Sequence, residues 1–280
     1  MEPTVVIDRY GVMGYPISHS RSPVIHRLFA RQTDQNMQYE LLQVSPEKLE
    51  TAVRQFQRTG GKGLNVTVPH KQAVTNLVDL ISERASTAGA VNTLVFRGTE
   101  IHGDNTDGIG LLRDLNMNLG LQLEGFNILV LGAGGATRGI VGPLLDMEPA
   151  SLLIANRTVA KAEKIADNFQ HYGQIAACSF DEVPVDQPYD LVINATSAGL
   201  HGDSKPPYPA ACISERTFCY DLSYGLSPTP FSTWAREQGA ARSVMGWGML
   251  VEQAAESFEI WRGVRPDTAP VLKQMQVNAL

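Results

Sequence analysis

Along most of the chain, short runs of apolar residues give way to longer stretches in which apolar side chains recur every three or four positions. A period of two marks a strand and a period of 3.6 a helix, so the pattern predicts the two elements in alternation. In the first hundred residues, 5–13, 39–44 and 63–68 read as strands. Residues 23–32 read as a helix with Pro23 at its start, and 46–58 as a helix entered through Ser45. Segments 91–96 and 100–102 read as a hairpin around Arg97-Gly98-Thr99. A second series begins at residue 127, with strands over 127–131, 151–155, 191–193 and 218–222 and helices over 136–147 and 159–170. Helices over 248–261 and 268–277 close the chain. Such alternation predicts an α/β fold, with parallel sheets and helices on both faces. The break between the two series falls near 105–119. No internal repeat or low-complexity tract interrupts them.

Composition narrows the class without changing that picture. The chain has 280 residues, 43% of them hydrophobic and 19% charged, which is room for two modest domains with proper cores. The formal net charge of -6 argues against nucleic acid or a membrane surface as partner, because no basic excess exists to neutralise phosphates. No apolar run is long enough to span a bilayer. The opening Met1-Glu2-Pro3-Thr4 lacks the basic start and apolar core of a secretory signal. Cys178, Cys212 and Cys219 are odd in number and lack ligand spacing, so they read as reduced thiols rather than a disulfide frame or a metal site. His19, His26 and His70 have no acidic or thiol partners at ligand spacing and read as structural, so no metal is expected. Together these features point to the cytoplasm. The proline-rich stretch 202–209 reads as a surface loop.

The strongest local signal runs from Asn127 through Leu131 into Gly132-Ala133-Gly134-Gly135-Ala136-Thr137-Arg138-Gly139. An apolar strand passes through a glycine-rich turn into a helix. Gly132 permits the tight turn, Gly134 lets the backbone approach a pyrophosphate, and the free N–H groups at the helix start face its charge. Thr137 stands where a third glycine is usual; a glycine turn that merely reverses the chain is the plain alternative. The end of the following strand selects the cofactor. A site for NAD places Asp or Glu there, on the ribose 2′-hydroxyl. This chain has Asn156-Arg157-Thr158, with Lys161 one helical turn later. A 2′-phosphate suits Arg157 as a bidentate partner and Lys161 as a point charge, so NADP is favoured over NAD.

Four polar clusters lie in the first series. Ser18 and Ser20 precede a helix, where they either cap it or bind a carboxylate. Asn65 and Thr67 alternate along a strand, so both face one way, and Lys71 follows the strand end, where ligands collect in parallel sheets. Asn92 is an amide in an apolar strand, serving either the backbone or a ligand. Asp107 closes Gly103-Asp104-Asn105-Thr106-Asp107, as a helix N-terminal carboxylate or something more. The spacing there does not fit a calcium loop.

Taken in order, Ser18-His-Ser20, Asn65-Val-Thr-Val-Pro-His-Lys71, Ala90-Val-Asn92-Thr, Asp104-Asn-Thr-Asp107-Gly, Gly132-Ala-Gly-Gly-Ala136, Asn156-Arg-Thr158, Asn194-Ala-Thr-Ser-Ala-Gly199 and Gly248-Met-Leu-Val-Glu-Gln253-Ala give a sequence that resembles the shikimate dehydrogenase family over nearly its whole length. The resemblance implies two α/β domains with a cleft between them. One is a substrate-binding domain over 1–105, to which helices in 244–280 return, and the other a Rossmann-type NADP-binding domain over 106–243. It implies NADPH-dependent interconversion of 3-dehydroshikimate and shikimate, in aromatic amino-acid biosynthesis. Lys71 would be the catalytic acid/base, paired with Asp107. Ser18 and Ser20 would hold the substrate carboxylate. Thr67, Asn92, Asp107 and Gln253 would contact the ring hydroxyls, with Asn65 lining the pocket and Tyr224 close by. Gly132, Ala133, Gly134, Gly135 and Ala136, with Asn156, Arg157, Thr158 and Lys161, would hold NADP. Glu83, Leu222 and Gly246 would lie at the cofactor's edge. The chain departs from the family pattern at Met245, where Asp is often found, and Trp247 is bulky beside it. Two alternatives stand beside this one: a quinate/shikimate dehydrogenase of broader substrate and cofactor use, and a non-catalytic NADP-binding regulator on the same scaffold. The resemblance implies a small-molecule substrate and a monomer or homodimer.

Overall fold

Two sheets organise the protein, each wrapped by its own helices, in a computed structural model that describes residues 7–186, 188–196 and 209–277. By contact the chain divides into one unit made of Met1–Gly110 and Leu250–Lys273 and another made of Leu111–Met249 and Gln274–Leu280.

The first unit contains β1 (Asp8–Gly14), α1 (Ser22–Gln32), β2 (Met37–Gln43), α2 (Leu49–Arg58), β3 (Gly61–Val66), β4 (Leu80–Ile81), α3 (Glu83–Ala88), β5 (Thr93–Arg97), β6 (Glu100–Asp104) and the start of α4 (Asp107–Arg113). Its sheet runs β2-β1-β3-β5-β6-β4. β1 and β3 are interior strands, and apart from the exposed Lys62 they are buried on both faces from Tyr10 and Gly61 onward, so their side chains read as apolar runs rather than as an alternation. α2 buries Leu49, Val53 and Phe56, one stripe at i, i+4 and i+7, against that sheet. The sheet is mixed: β1, β2 and β3 are parallel, while β3–β5 and β5–β6 are antiparallel. Gly98 at φ +62° makes the tight reversal between β5 and β6, which is why no helical crossover intervenes.

The second unit contains β7 (Asn127–Leu131), α5 (Gly135–Leu145), β8 (Ser151–Ala155), α6 (Val159–Phe169), β9 (Ile175–Cys178), β10 (Leu191–Asn194), β11 (Phe218–Asp221), α7 (Pro230–Glu237), β12 (Arg242–Met245) and the start of α8 (Trp247–Arg262), which α9 (Thr268–Val277) follows. All six strands are parallel, in the order β12-β11-β10-β7-β8-β9. β7 therefore lies between β8, reached by α5, and β10, reached after the chain has returned from the far edge. Sheets of this kind bind ligands beyond the carboxyl ends of the strands where the order reverses, here the ends of β7 and β10. Ile128, Val130, Ile140, Leu144, Ile154, Ile165 and Ile193 pack one face of this sheet and Leu129, Leu131, Val192, Cys219 and Trp234 the other.

Three sequence expectations are corrected. The segment 46–58 opens as a 3-10 turn, Pro46–Lys48, and becomes α-helical only at Leu49; the Ser45 hydroxyl bonds Glu47 and caps no backbone N–H. The strand expected over 63–68 stops at Val66, because the Thr67 carbonyl accepts from His70 N at 2.9 Å as the chain turns through Pro69, which cannot donate to a ladder. The strand expected over 5–13 is seen from Asp8; residues 5 and 6, and residues 202–208 of the expected proline-rich loop, lie outside the described residues.

Candidate active site

In the first unit the polar clusters converge at the ends of β3, β5 and β6. The Asn65↔Thr93 and Thr93↔Asp104 registers bring together residues that are almost forty apart in sequence. Lys71, just past β3, points its ammonium at the first carboxylate of α4: Nζ lies 2.6 Å from Asp107 Oδ2, with only 12% and 4% of the two side chains exposed. A charge pair so withdrawn from water holds its geometry, because leaving either partner bare would cost several kcal/mol (about 3–5). Asn92 clamps the far carboxylate oxygen, Nδ2 donating to Asp107 Oδ1 at 2.8 Å and to Thr106 Oγ1 at 3.0 Å. Asn92 Oδ1 accepts from Thr106 N at 2.9 Å and from Thr93 Oγ1 at 2.8 Å. Through these bonds Asn92 fixes Asp107 beside Lys71.

The rest of 104–107 is structural support. Asp104 takes the Arg84 fork at 2.7 and 2.8 Å and the Ser82 hydroxyl at 2.6 Å. Burial pushes the Asp104 carboxyl up, but the Arg84 and Ser82 bonds outweigh it and hold it below the usual range. Asn105 accepts from Asp107 N at 3.0 Å and donates to Ala90 O at 2.9 Å. From α8, Gln253 reaches the same group: Thr106 Oγ1 lies 3.4 Å from Gln253 Oε1, and Gln253 Nε2 bonds Leu250 O at 2.9 Å. A Cβ on Gly110 would stand 2.6 Å from Gln253 Cβ and 2.7 Å from its backbone N, so α4 and α8 touch backbone to backbone there. Asn65 is buried and Thr67 half-buried beside the strand end.

Ser18 is exposed and Ser20 half-buried before α1, whose N-cap is Arg21 with no side-chain capping bond. Ser20 Oγ accepts from Ser22 N at 3.3 Å, while Ser18 makes no hydrogen bond among the described residues, leaving its hydroxyl available. His70 is buried with Nε2 2.7 Å from Val44 O. Glu83 is exposed on the first turn of α3, and its side chain is bonded to none of the Lys71–Asp107 group. No group of three or more metal-ligating side chains occurs among the described residues.

In the second unit β7 runs into the glycine-rich turn. Gly132 has φ +105°, and a Cβ there would lie 3.1 Å from Ala195 C and O, so the turn packs against the chain leaving β10. Thr137, fully buried where a third glycine is usual, donates to Gly132 O at 2.8 Å and so braces the turn itself. Gly134 differs: a Cβ there would meet no atom of the described residues within 4 Å. Nothing among the described residues demands glycine at that point, and the open space lies over the N-terminus of α5, where the N–H groups of a helix start favour an anion. The turn therefore fits a dinucleotide pyrophosphate. Ala133 is buried, and Gly135 and Ala136 are half-buried in the first turn.

Past β8, Asn156 Nδ2 donates to Thr158 O at 2.8 Å and shapes the entry to α6. Arg157, Thr158 and Lys161 are exposed, and neither cation makes an ion pair among the described residues. At the other side of β7, Asp221 ends β11. Burial pushes its carboxyl up, although Thr229, Ser223 and Asn194 all donate to it. This knot fixes the segment carrying Leu222 and Tyr224. A Cβ on Gly246 would lie 2.6 Å from Leu222 O, and the Tyr224 ring packs on Trp247 at 4.7 Å. Leu222, Tyr224 and Gly246 are therefore neighbours. Residues 197–199 of the expected motif lie outside the described residues.

Three residues that hold this site escaped the sequence reading: Thr106, Thr93 and Tyr39, each bonded to an expected site residue. Only Thr93 and Thr106 carried a signal, as hydroxyls adjoining Asn92 and Asp107.

Known proteins resemble this chain along nearly its whole length. The chain fits the family models described as shikimate dehydrogenase substrate binding domain over residues 12–94, shikimate / quinate 5-dehydrogenase over 115–205 and shikimate 5′-dehydrogenase C-terminal domain over 246–276. A shikimate dehydrogenase (NADP(+)) of Alkalilimnicola ehrlichii is 54% identical over 269 residues, 96% of this chain and 98% of that protein. Among solved structures, an Ael1 enzyme from Pseudomonas putida is 47% identical with a TM-score of 0.87, over 95% of this chain and 97% of that one. The shikimate 5-dehydrogenase of Thermus thermophilus, solved with NADP(H) and shikimate, is 31% identical with a TM-score of 0.85, over 98% and 100%. The chain belongs to the shikimate dehydrogenase family.

Proposed function

We propose that this protein catalyses the reversible, NADPH-dependent reduction of 3-dehydroshikimate to shikimate, a step of aromatic amino-acid biosynthesis. The observation that carries the reading is the Lys71–Asp107 pair at 2.6 Å, largely withdrawn from water, set among hydroxyl and amide side chains and backed by Asn92. A regulator that only bound the dinucleotide would have no use for that pair.

Bound NADPH supplies the hydride. In the reduction, the Lys71 ammonium donates a proton to the ketone oxygen as the carbonyl carbon gains the hydride, leaving an amine that regains its proton from solvent. In the oxidation, the amine takes the hydroxyl proton. Asp107 accepts from Lys71 and, held by Asn92, keeps the ammonium in one orientation. Ser18 and Ser20 receive the substrate carboxylate. Thr67, Asn65, Asn92, Asp107 and Gln253 meet the ring hydroxyls, with Tyr224 near. Gly132, Ala133, Gly134, Gly135 and Ala136 hold the pyrophosphate, and Asn156, Arg157, Thr158 and Lys161 the adenosine end. Two exposed, unpaired cations at a helix N-terminus are unfavourable without an anion, which a 2′-phosphate supplies. Glu83, Leu222 and Gly246 border the cofactor. Within 1–105 and 244–280 lies the substrate domain, within 106–243 the cofactor domain. The three cysteines are free thiols, and burial pushes Cys212 up to about 11 and Cys219 up to about 12, as suits protonated thiols in a reducing cytoplasm. The enzyme works as a monomer or homodimer.

The test is a steady-state panel of shikimate and quinate, each with NADP+ and NAD+. Shikimate with NADP+ should give the largest kcat/KM. Equal turnover of quinate with NAD+ would replace this reading with the broader enzyme, and no turnover at all would leave a binding protein.

A further inference from the structure

The hydroxyl-binding group has a support that neither the motifs nor the reaction accounts for. Tyr39, half-buried on β2, donates its phenol hydrogen to Asn65 Oδ1 at 2.7 Å. The other end of the same amide is committed as well: Asn65 Nδ2 donates to Asn92 O at 3.3 Å and to Thr93 Oγ1 at 3.2 Å. A carboxamide has two N–H donors and two oxygen lone pairs. Both donors and one lone pair are therefore used, and Asn65 retains a single acceptor position.

We propose that Tyr39 is a positioning residue for the reaction: it clamps the oxygen end of Asn65 so that this amide meets the substrate only as an acceptor, and from one direction. The inference rests on the placement of Asn65 in the substrate pocket. Asn65 thereby reads a ring carbon that bears a hydroxyl and can donate, and discriminates against one that bears a ketone, ether or hydrogen there. The discrimination follows from the cost of a buried acceptor left without its donor.

The clamp has its own backing. The Tyr39 ring lies flat on the His26 imidazole, centroids 4.1 Å apart and planes within 9°. His26 is fully buried, also packs on Phe29, Phe258 and Trp261, and neither of its nitrogens has a hydrogen-bond partner. The Asn65 amide sits beside it and works against the effect of burial, yet neither imidazole nitrogen forms a hydrogen bond, so the Asn65 oxygen keeps its open position. Burial pushes His26 down to about 3, so the ring is neutral and acts as a flat wall that holds the phenol in plane. The wall fixes the ring, the ring fixes the hydroxyl, and the hydroxyl fixes Asn65.

Tyr39→Phe keeps the ring and its stacking and deletes only the hydroxyl. The expected result is a rise in KM for shikimate of about tenfold, with kcat within about twofold and KM for NADP+ unchanged. Asn65→Ala should raise KM for shikimate by itself, and the Tyr39→Phe/Asn65→Ala pair should be no worse than Asn65→Ala alone, since Tyr39 acts through Asn65. An unchanged KM in Tyr39→Phe while Asn65→Ala is impaired, or additive losses in the pair, overturns the proposal. A purely structural tyrosine would lower the melting temperature of the free protein yet leave KM and the thermal shift induced by shikimate intact, which also overturns it. Failure of the underlying functional reading shows separately, as wild-type protein that does not turn over shikimate.

Discussion

Gly134→Ala should make the protein slightly more stable and a worse enzyme. The residue sits at φ -92° and ψ -170°, extended backbone that alanine adopts without strain. A methyl group there meets no atom of the described residues within 4 Å, so no packing is lost and none of them must shift. The unfolded chain loses freedom, which favours the folded state by about 0.4–1 kcal/mol. For a protein of this size that corresponds to a rise in Tm of roughly 1–4 °C, at about 2–4 °C per kcal/mol. The same methyl occupies the space through which a pyrophosphate reaches the α5 N–H groups, a contact of about 3 Å that tolerates no added carbon. KM for NADP+ should rise at least tenfold, equivalent to about 1.4 kcal/mol of lost binding. KM for shikimate should stay within about twofold. Differential scanning calorimetry without ligand and initial-rate kinetics with each substrate varied in turn give the two readouts. A variant with unchanged KM for NADP+ would show that the open space at Gly134 is not where the cofactor lies. A variant that loses stability would show that the turn, rather than the ligand, requires glycine.

Other perturbations test separate parts of the site. Gly110→Ala drives a methyl to 2.6 Å from Gln253 Cβ, against backbone that must retreat by roughly 1 Å to reach ordinary contact. It should cost about 1–3 kcal/mol of stability and lower kcat/KM by roughly 10- to 100-fold, as misplaced ligand groups do; wild-type kinetics would refute the close approach of α4 and α8. Arg157→Ala should weaken NADP+ far more than NAD+ in KM measurements, and equal losses would exclude a 2′-phosphate contact. His26 protonates near 6.5 when unfolded but only at about 3 when folded, so the unfolded chain binds more protons in that window. Its contribution to stability is complete above 6.5 and is lost as pH falls, at up to about 1.4 kcal/mol per unit. In denaturant titrations, His26→Phe should flatten the decline in stability from pH 6.5 to pH 4, and a slope equal to the wild type's would show that the folded imidazole is not held neutral.

The sequence was most legible where a residue's neighbours in space are also its neighbours in the chain. β7 and β8 are apolar runs flanked by turn residues, and their bounds coincide with the hydrophobic pattern at 127–131 and 151–155. β9 and β12 went unread because they are four-residue edge strands with half-exposed side chains, which no periodicity distinguishes from loop. α4 went unread because its start, Asp107-Gly108, is polar and small, and Gly110 packs on Gln253, which is distant in sequence. Candidate site residues stood out as polar groups in apolar settings. The bonds that hold them did not: Asn92 to Asp107 spans 15 residues and Tyr39 to Asn65 spans 26, and each bond exists only once the strands have paired. The crowding behind Gly132 was likewise invisible, although the motif already gave Gly132 and Gly134 different roles.

The central claim is that Lys71, held by Asp107, moves the proton, and Lys71→Ala tests it most directly. Removing the ammonium should abolish most of kcat, by roughly 10²- to 10⁴-fold, the usual share of a general acid, while KM for shikimate and NADP+ change by only a few-fold. Steady-state kinetics on the folded variant that gave normal kcat, or a loss confined to KM, would contradict it.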